Sequence, residues 1–562
     1  MELTIDNIKN ILKDKNKDGS AETLMGEIAF QNRDALKSIA DSANGVTRSN
    51  TKWRRCEYIF ISIRPEERVS MDVCLKGWKA LAQSHADQTL ILEDSFSNWT
   101  IYNYNSEIVG HNEELELLIK KLSENRNHSV KKFHSTSMVE FTKHHHYFTA
   151  LRTKPFMLLA GISGTGKSRI VRKLAQATVT EELQKAEGYK GTDFANDRWT
   201  LHSPANFELI QVKPNWHNSM DVIGYLSNIP SPHYVFTPFI EFIVKAWQHP
   251  EVPFFLCLDE MNLAPVEEYF AEFLSAIESR SFEGEEYLTD PIIKPFNSFG
   301  EDVAKMMVNM LFPNFTAGDK NSFLGKVVDH LETKGLTLPK NLIVIGTVNM
   351  DETTFSFSRK VLDRAMSVEM NEVNYDSFLT DTTDDDLKAI VEAFEQNDDA
   401  DLNALLVDRH IEAREIIDDL GDDARFTIDY LKRINALLEG TPFKLGYRAA
   451  NEALIYLQAS QEFGQTDRIA ALDNFTLMKI LSRIEGDETK LKITDSEADK
   501  ERIAKAEVNV DEAKQYGDLN ILTALRHIIT NQLGEQDKLQ SVKKIDSMLS
   551  QLKRDHFVSF WN

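Results

Sequence analysis

The sequence predicts an α/β fold: a doubly wound parallel sheet with an α-helical lid after it and a separate small α+β domain before it. Three observations predict this fold. An apolar run, residues 156–160, leads into a glycine-rich loop and then into a helical pattern. Two later apolar runs, 252–258 and 341–346, each end in acidic or polar residues. The last third of the chain is dominated by helical periodicity, which is typical of a lid packed beside such a sheet.

Residues 1–130 form the predicted N-terminal domain, a candidate recognition or partner module. Residues 57–63 (EYIFISI) predict a buried strand. Lys52-Trp-Arg-Arg55 precedes this strand, and Trp78 and Trp99 follow it. Basic and aromatic side chains together could contact DNA through phosphates and base stacking. The alternative, which we favour, is a solvated strand edge with tryptophans in the core.

The glycine-rich loop at 161–168 reads Gly-Ile-Ser-Gly-Thr-Gly-Lys-Ser, which matches the phosphate-binding pattern G-x-x-x-x-G-K-[ST]. Glycines let successive backbone N–H groups point at phosphate oxygens, and the helix that follows adds its positive end. Lys167 would reach the β- and γ-phosphates, and the Ser168 hydroxyl would bind Mg²⁺. The predicted nucleotide contacts are Gly161, Ser163, Gly164, Thr165, Gly166, Lys167 and Ser168.

Two acidic residues end the next long apolar run. Asp259 would hold Mg²⁺, and Glu260 would orient or deprotonate the attacking water. A helix is predicted after them at 266–278, then an insertion at 282–338 with helices at 305–311 and 323–331. The alternative is a buried strand that ends in Asp-Glu without any catalytic role.

The strand at 341–349 ends in Thr347 and Asn349, which are placed to sense the γ-phosphate and the water (the sensor I role). Beyond it, Arg364 follows an apolar pair and is the predicted arginine finger for a neighbouring subunit's nucleotide, with Arg359 as the second candidate. The alternative for Arg364 is a surface salt bridge. Residues 131–375 are therefore the predicted nucleotide-binding core.

Residues 376–562 are the predicted α-helical lid and C-terminal helices. The segment 376–404 is rich in Asp and Glu and predicts an acidic connection. Arg448 stands where a helix begins and would reach the phosphates from the lid (the sensor II role). The alternative is a structural arginine at a helix start.

Composition limits the class of protein. A net charge of −24 argues against a whole-surface nucleic-acid binder, although not against a local basic channel in an assembled ring. The three cysteines, Cys56, Cys74 and Cys257, have no metal-ligand spacing, which is typical of a reducing compartment. No signal pattern and no apolar run near the ~20 residues of a membrane span are present. We therefore expect a cytoplasmic protein with no membrane partner.

From about residue 148 onward the chain resembles McrB-type AAA+ NTPases, the motor subunits of modification-dependent restriction systems. The similar stretches are residues 154–156 (KPF), 213–216 (KPNW), 258–264 (LDEMNLA), 269–278 (YFAEFLSAIE) and 346–354 (GTVNMDETT). The resemblance implies an AAA+ ring, usually a hexamer, with ATP or GTP and Mg²⁺ at the subunit interfaces. It also implies a separate McrC-like endonuclease subunit, DNA contact through the N-terminal domain or the assembled ring, and a role in restriction or phage defence.

Two features depart from that family. Its founding members prefer GTP and carry Met-Asn-Thr-Ala-Asp around sensor I, whereas this chain has Val348-Asn-Met-Asp-Glu352, so ATP and GTP both stay open. Residues 1–130 also match no methylcytosine reader.

The primary interpretation is an NTP hydrolase with Lys167, Glu260, Asn349 and Arg364 as catalytic residues. The alternative is a nucleotide-gated scaffold or sensor with slow hydrolysis that controls a different effector. A nuclease within this chain is disfavoured, because no P-D…[DE]-x-K cluster is placed on a strand pair.

Overall fold

A computed structural model divides the chain into two compact units, Met1–Thr136 and Ser137–Asn562. The structure describes residues 22–24, 28–32, 58–62, 73, 75–76, 78, 89–93, 99–103, 107–112, 114–119, 145–283, 286–313, 315, 322–350, 355, 357–371, 385–395, 401–534 and 538–561. The predicted domain boundaries at 130 and 375, the basic segment 52–55 and the sensor I positions Asp351 and Glu352 lie outside the described residues.

The first unit contains a six-stranded mixed sheet in the order β1-β2-β3-β4-β5-β6. The central strands β2, β3 and β4 pair in parallel, and the remaining pairs are antiparallel. The strand predicted at 57–63 is confirmed as β3. The strands are β1 (Glu22–Leu24), β2 (Ile28–Asn32), β3 (Tyr58–Ser62), β4 (Thr89–Glu93), β5 (Trp99–Tyr102) and β6 (Ile108–Gly110).

Two tryptophans of this unit are core residues, as we favoured from the sequence. Trp78 and Trp99 are both buried, and the Trp78 indole N–H donates to the backbone oxygen of Asn103 at 2.9 Å. The Trp99 ring meets Phe60 edge to face, with 6.0 Å between centroids. Rings packed in this way have no free face on which a base could stack.

The second unit is organised around a five-stranded, all-parallel sheet in the order β15-β7-β14-β11-β8. The α/β prediction is therefore confirmed. Because β14 lies between β7 and β11, the carboxyl end of β14 stands between the glycine-rich loop and the acidic pair. The strands are β7 (Phe156–Gly161), β8 (Phe207–Gln211), β11 (Phe254–Asp259), β14 (Leu342–Asn349) and β15 (Met366–Glu369).

Helices and three small two-stranded sheets accompany this sheet in the described residues. The helices up to β15 are α1 (His145–Thr153), α2 (Lys167–Thr178), α3 (Glu181–Ala186), α4 (Phe194–Asp197), α5 (Met220–Ile223), α6 (Pro238–Gln248), α7 (Val266–Tyr269), α8 (Ala271–Ala276), α9 (Glu301–Leu311), α10 (Phe323–Thr333) and α11 (Arg359–Leu362). The later ones are α12 (Asp385–Glu395), α13 (Leu402–Val407), α14 (Ile417–Leu420), α15 (Asp422–Leu437), α16 (Tyr447–Glu462), α17 (Arg468–Phe475), α18 (Glu488–Leu491), α19 (Glu497–Lys505), α20 (Val510–Ala513), α21 (Ile521–Leu533) and α22 (Gln540–Asp555). A π-helix, Thr476–Ile480, continues α17. Two hairpins pair β9 (Tyr225–Ser227) with β10 (His233–Val235) and β12 (Ser281–Glu283) with β13 (Glu286–Leu288), and β16 (Glu485–Asp487) pairs antiparallel with the distant β17 (Phe557–Ser559).

The sheet is covered on both faces, which is why its three central strands, β7, β14 and β11, are almost continuously apolar rather than alternating. Along β7, Met157 and Leu159 pack into one core with α2 and the later helices. Phe156 and Leu158 point the other way, into a second core with α6 and α8. None of the helices in the described residues combines the length and apolar character that a bilayer crossing requires.

The insertion at 282–338 contains the two predicted helices, as α9 and α10. The single helix predicted at 266–278 is instead two short helices, α7 and α8, because Phe270 between them leaves the helical region with φ −113°. Strand β15 was not predicted. It has four residues, which is too short for periodicity to show.

Candidate functional site

The glycine-rich loop joins the end of β7 to the start of α2. Gly164 and Gly166 have φ of +86° and +85°, a backbone region that a side chain makes unfavourable. Gly161 is required for a different reason, because a β-carbon there would lie 2.5 Å from the Met370 carbonyl oxygen. Ser163 and Gly164 are exposed and Thr165 is half-buried, with its hydroxyl donating to the Ile162 oxygen at 3.1 Å.

Lys167 lies at the first position of α2, and its side chain turns back over the loop. The ammonium donates to the backbone oxygens of Gly161 and Ile162, both at 2.8 Å. The residue is buried, and these two hydrogen bonds hold its charge close to the loop and to the positive end of α2. This arrangement concentrates positive charge where a phosphate group would enter.

The acidic strand β11 meets the loop through one carboxylate oxygen. Asp259 Oδ1 accepts hydrogen bonds from the Ser168 hydroxyl at 2.6 Å and from the Thr347 hydroxyl at 2.8 Å. A hydroxyl and a carboxylate side by side are the hard oxygen ligands that Mg²⁺ takes alongside water and phosphate oxygens. Ser168 and Asp259, the two predicted metal ligands, therefore fit a magnesium ion.

Glu260 is held in an unusual backbone conformation at the end of the same strand. Its φ is 54° and its ψ is 50°, the left-handed region that residues with a side chain rarely adopt. The Glu260 N–H donates to the Thr347 hydroxyl at 2.8 Å, and the Asn349 side-chain amide donates to Glu260 Oε1 at 2.9 Å. Strain of about 1–3 kcal/mol at such a position persists where neighbours fix it, which is common in active sites. The structure thus brings together the predicted residues Lys167, Ser168, Asp259, Glu260 and Asn349.

One residue at this edge was missed by the sequence reasoning. Asn371 Oδ1 accepts the Ile162 N–H at 3.0 Å, so it holds the start of the glycine-rich loop. Its amide donates to Glu369 at 2.6 Å, and Glu369 in turn pairs with Lys544 of α22 at 2.8 Å. No local sequence signal identifies Asn371, because the strand before it, β15, has only four residues.

The two predicted arginines lie elsewhere. Arg364 Nε stands 3.7 Å from the Glu278 carboxylate, and Arg448 pairs with the same carboxylate. Lys154, two residues before β7, is a third cation at Glu278, at 3.6 Å. This arginine cluster (Arg364, Arg448, Glu278) therefore lies at the amino edge of the sheet. The glycine-rich loop lies at the carboxyl edge, and β7 spans five residue steps, or roughly 17 Å, between the two edges.

Arg448 was predicted to reach phosphates from the lid. In the structure its guanidinium pairs with Glu278, and the predicted role stays a prediction. Arg364 and Arg448 remain partly exposed, with 24% and 42% of their side chains accessible. Arg359, the second candidate, donates to the Pro442 oxygen at 2.9 Å and covers the Phe443 ring instead.

Comparison with known families bears on the helical region. Residues 412–557 match a family model described as a domain of unknown function, DUF8727. The match includes Arg448 and runs from just before α14 to the start of β17, outside the five-stranded sheet. No curated protein matches the chain.

Proposed function

We propose that this chain is an AAA+ nucleoside triphosphatase of the McrB type that hydrolyses ATP or GTP at sites shared between neighbouring copies. One observation carries the proposal. Ser168, Asp259, Thr347, Glu260 and Asn349 form a continuous hydrogen-bonded chain at the carboxyl edge of the sheet, beside the glycine-rich loop. Hydrolysis of a triphosphate needs a phosphate cradle, a metal site and a positioned base; the glycine-rich loop would supply the first and these residues the other two.

The glycine-rich loop and the metal ligands would neutralise the negative charge of the triphosphate. The loop's N–H groups and the Lys167 ammonium would hold the β- and γ-phosphates and neutralise charge as the γ-phosphate leaves. Ser168 and Asp259 would hold Mg²⁺, which supplies further neutralisation of the same oxygens when bound.

The base and its support would act on the attacking water. Glu260 projects from a strained position directly after Asp259, and the Asn349 amide fixes the direction of its carboxylate. A carboxylate held in this way can orient a water in line with the γ-phosphate and accept its proton. Asn349 would thus act on the water through Glu260 as well as sensing the phosphate.

A second copy would complete the site. The arginine cluster and the glycine-rich loop lie at opposite edges of the sheet, so we expect an arginine of this cluster to stabilise transferred charge on another chain's nucleotide. A contact between two different edges of identical chains is head-to-tail, and such contacts close into rings when the rotation allows. This geometry supports a homo-oligomeric ring, a hexamer by the family resemblance, in which Arg364 and Arg448 both serve the neighbour.

The ring's partners follow from the resemblance. We propose that nucleotide turnover drives or regulates a McrC-like endonuclease subunit in restriction or phage defence, with DNA bound by the N-terminal domain or the assembled ring. The alternative, a nucleotide-gated scaffold that hydrolyses slowly and controls another effector, uses the same site. Turnover measured with and without DNA and the nuclease subunit separates these two functions. We expect only a motor's rate of hydrolysis to change strongly when DNA and the nuclease subunit are added.

The central test is the dependence of turnover on protein concentration. We expect phosphate release per chain to rise with concentration as copies assemble, and native mass measurements with ATP or GTP analogues to show a closed oligomer. The same measurements show whether the site prefers adenine or guanine nucleotides. Full turnover per chain at dilutions where only monomers are present would reject a shared site.

A further inference from the structure

Three charged side chains are buried together near the start of β7. Lys154, Glu452 and Lys479 are each at most 4% exposed. Glu452 accepts from the Lys154 ammonium at 2.5 Å through one oxygen and pairs with the Lys479 ammonium at 2.8 Å through the other. We call these three residues the buried triad.

Lys479 also holds the backbone that carries Arg364. Its ammonium donates to the carbonyl oxygens of Leu362 at 3.3 Å, Asp363 at 2.9 Å and Ala365 at 2.7 Å. These carbonyls flank Arg364 on both sides, between the end of α11 and the start of β15. Carbonyls at the end of a helix have no partner within the helix, and Lys479 supplies one. Lys479 itself lies in the π-helix, a rare element that is frequent at functional sites.

The other two members reach the second arginine and the nucleotide strand. Glu452 lies one helical turn after Arg448 on α16, so its anchoring fixes the turn from which Arg448 projects. Lys154 stands two residues before β7, the strand that ends in the glycine-rich loop, and it also lies 3.6 Å from Glu278. The triad therefore connects three segments that are distant in sequence.

Stability alone is a poor explanation for this arrangement. Two buried lysines share the buried Glu452 carboxylate, and replacing buried charges by apolar groups is often neutral or stabilising. Burial lowers the pKa of both lysines, although Glu452 opposes the shift. Charges kept in an unfavourable environment are more common where a fixed geometry serves function.

We propose that the buried triad positions Arg364 and Arg448 for the triphosphate of a second copy of this chain. Lys479 fixes the backbone around Arg364, Glu452 fixes the helix turn of Arg448, and Lys154 ties both to the start of β7. Both guanidinium groups are then held in a fixed arrangement at the Glu278 carboxylate. These are positioning residues, and the inference rests on the proposed shared site.

The test is Lys479→Met, which removes the charge and keeps the length of the side chain. We expect kcat to fall about 100-fold, since a small misplacement of a catalytic group costs about that much. Nucleotide affinity should not change, because the triad lies at the opposite edge from the glycine-rich loop. A control is Arg526→Met, which breaks an ion pair between a buried arginine and the half-exposed Asp546 at 2.6 Å, away from the arginine cluster, and should keep kcat.

Mixing experiments separate positioning from misfolding. Lys479→Met keeps an intact loop and Glu260, while Glu260→Gln keeps intact arginines, so mixed rings should hydrolyse nucleotide faster than either variant alone. If Lys479→Met does not fold, the double variant Glu452→Gln/Lys479→Met, which removes opposite charges together, takes its place. Wild-type kcat, or a defect that mixing does not repair, would overturn the proposal.

A parallel mixture distinguishes this inference from the function on which it rests. Arg364→Ala mixed with Glu260→Gln should also regain turnover. If that mixture stays inactive, the shared site is wrong. If it recovers while the triad variants do not, the shared site stands and the positioning role of the triad falls.

Discussion

Replacing Asn349 by alanine isolates one hydrogen bond of the candidate site. The change removes the amide that donates to Glu260 Oε1 at 2.9 Å. The backbone oxygen of residue 349 can still accept from Asn262 at 3.3 Å, and the Glu260 N–H keeps its bond to Thr347. The strained backbone at Glu260 should therefore survive, while its carboxylate loses the group that directs it.

The size of the effect follows from the charge on the acceptor. A hydrogen bond to an ionised group contributes about 1.5–3 kcal/mol. If the whole of that contribution is lost in the transition state, kcat falls by about 10- to 150-fold, since each 1.36 kcal/mol is a factor of ten. Nucleotide affinity should stay the same, because the loop contacts and the Ser168–Asp259 pair are untouched.

The assay is steady-state phosphate release at saturating ATP and GTP, with affinity measured separately by titration of a fluorescent nucleotide. Glu260→Gln provides the second arm of a double-mutant cycle. On its own it should accumulate unhydrolysed nucleotide in a stable ring. Because Asn349 acts through the Glu260 carboxylate, Asn349→Ala should have little further effect in the Glu260→Gln background.

Two results would refute this reasoning. An Asn349→Ala variant with wild-type kcat would show that the carboxylate needs no support. An equal loss in the wild-type and Glu260→Gln backgrounds would show that Asn349 acts independently of Glu260, for example on the phosphate alone.

Three further predictions follow from the same geometry. Arg364→Ala should keep nucleotide binding and lose about 10³-fold or more in kcat, as removal of an arginine finger does; normal turnover in this variant would reject its role. Gly161→Ala should lower the melting temperature and weaken nucleotide binding, because overpacking against the Met370 oxygen costs about 1–3 kcal/mol; Gly446→Ala, where a β-carbon meets nothing within 4 Å, is the control. Burial alone would raise the pKa of Glu452, but Lys154 and Lys479 outweigh it and hold that pKa well below 4.5. The stability that Glu452 contributes is therefore present above pH 4.5 and lost as the pH falls through the lowered pKa, so acid should lower the melting temperature of the wild type more steeply than that of Glu452→Gln; equal slopes would contradict this.

The carboxyl edge of the sheet could be predicted because its signals are local. The glycines at 161, 164 and 166 and the acids at 259 and 260 follow directly on apolar strands, and parallel strands bring their ends to one edge whatever the loops between them do. The hydrogen-bonded chain from Ser168 to Asn349 is the result. Asn371 was not predicted, because the strand before it is too short to show periodicity and its contact with Ile162 spans 209 positions.

The amino edge could not be predicted because no local pattern describes it. Arg448 looks the same in sequence whether it faces its own phosphates or the opposite side of the molecule, and only the packing of α16 against the core decides between them. Glu452 lies 298 positions after Lys154 in sequence, and Lys479 lies 27 positions after Glu452. The residues next to them in sequence do not indicate that the three share one buried site.

The sequence by itself determined the α/β class, the cradle and the acidic pair, because short-range backbone geometry and strand order are sufficient for those features. The tertiary structure decided which edge each charge occupies. Buried ion pairs such as those at Glu452 and Glu278 form only when distant helices pack onto the sheet, and desolvation then selects the partners that satisfy them.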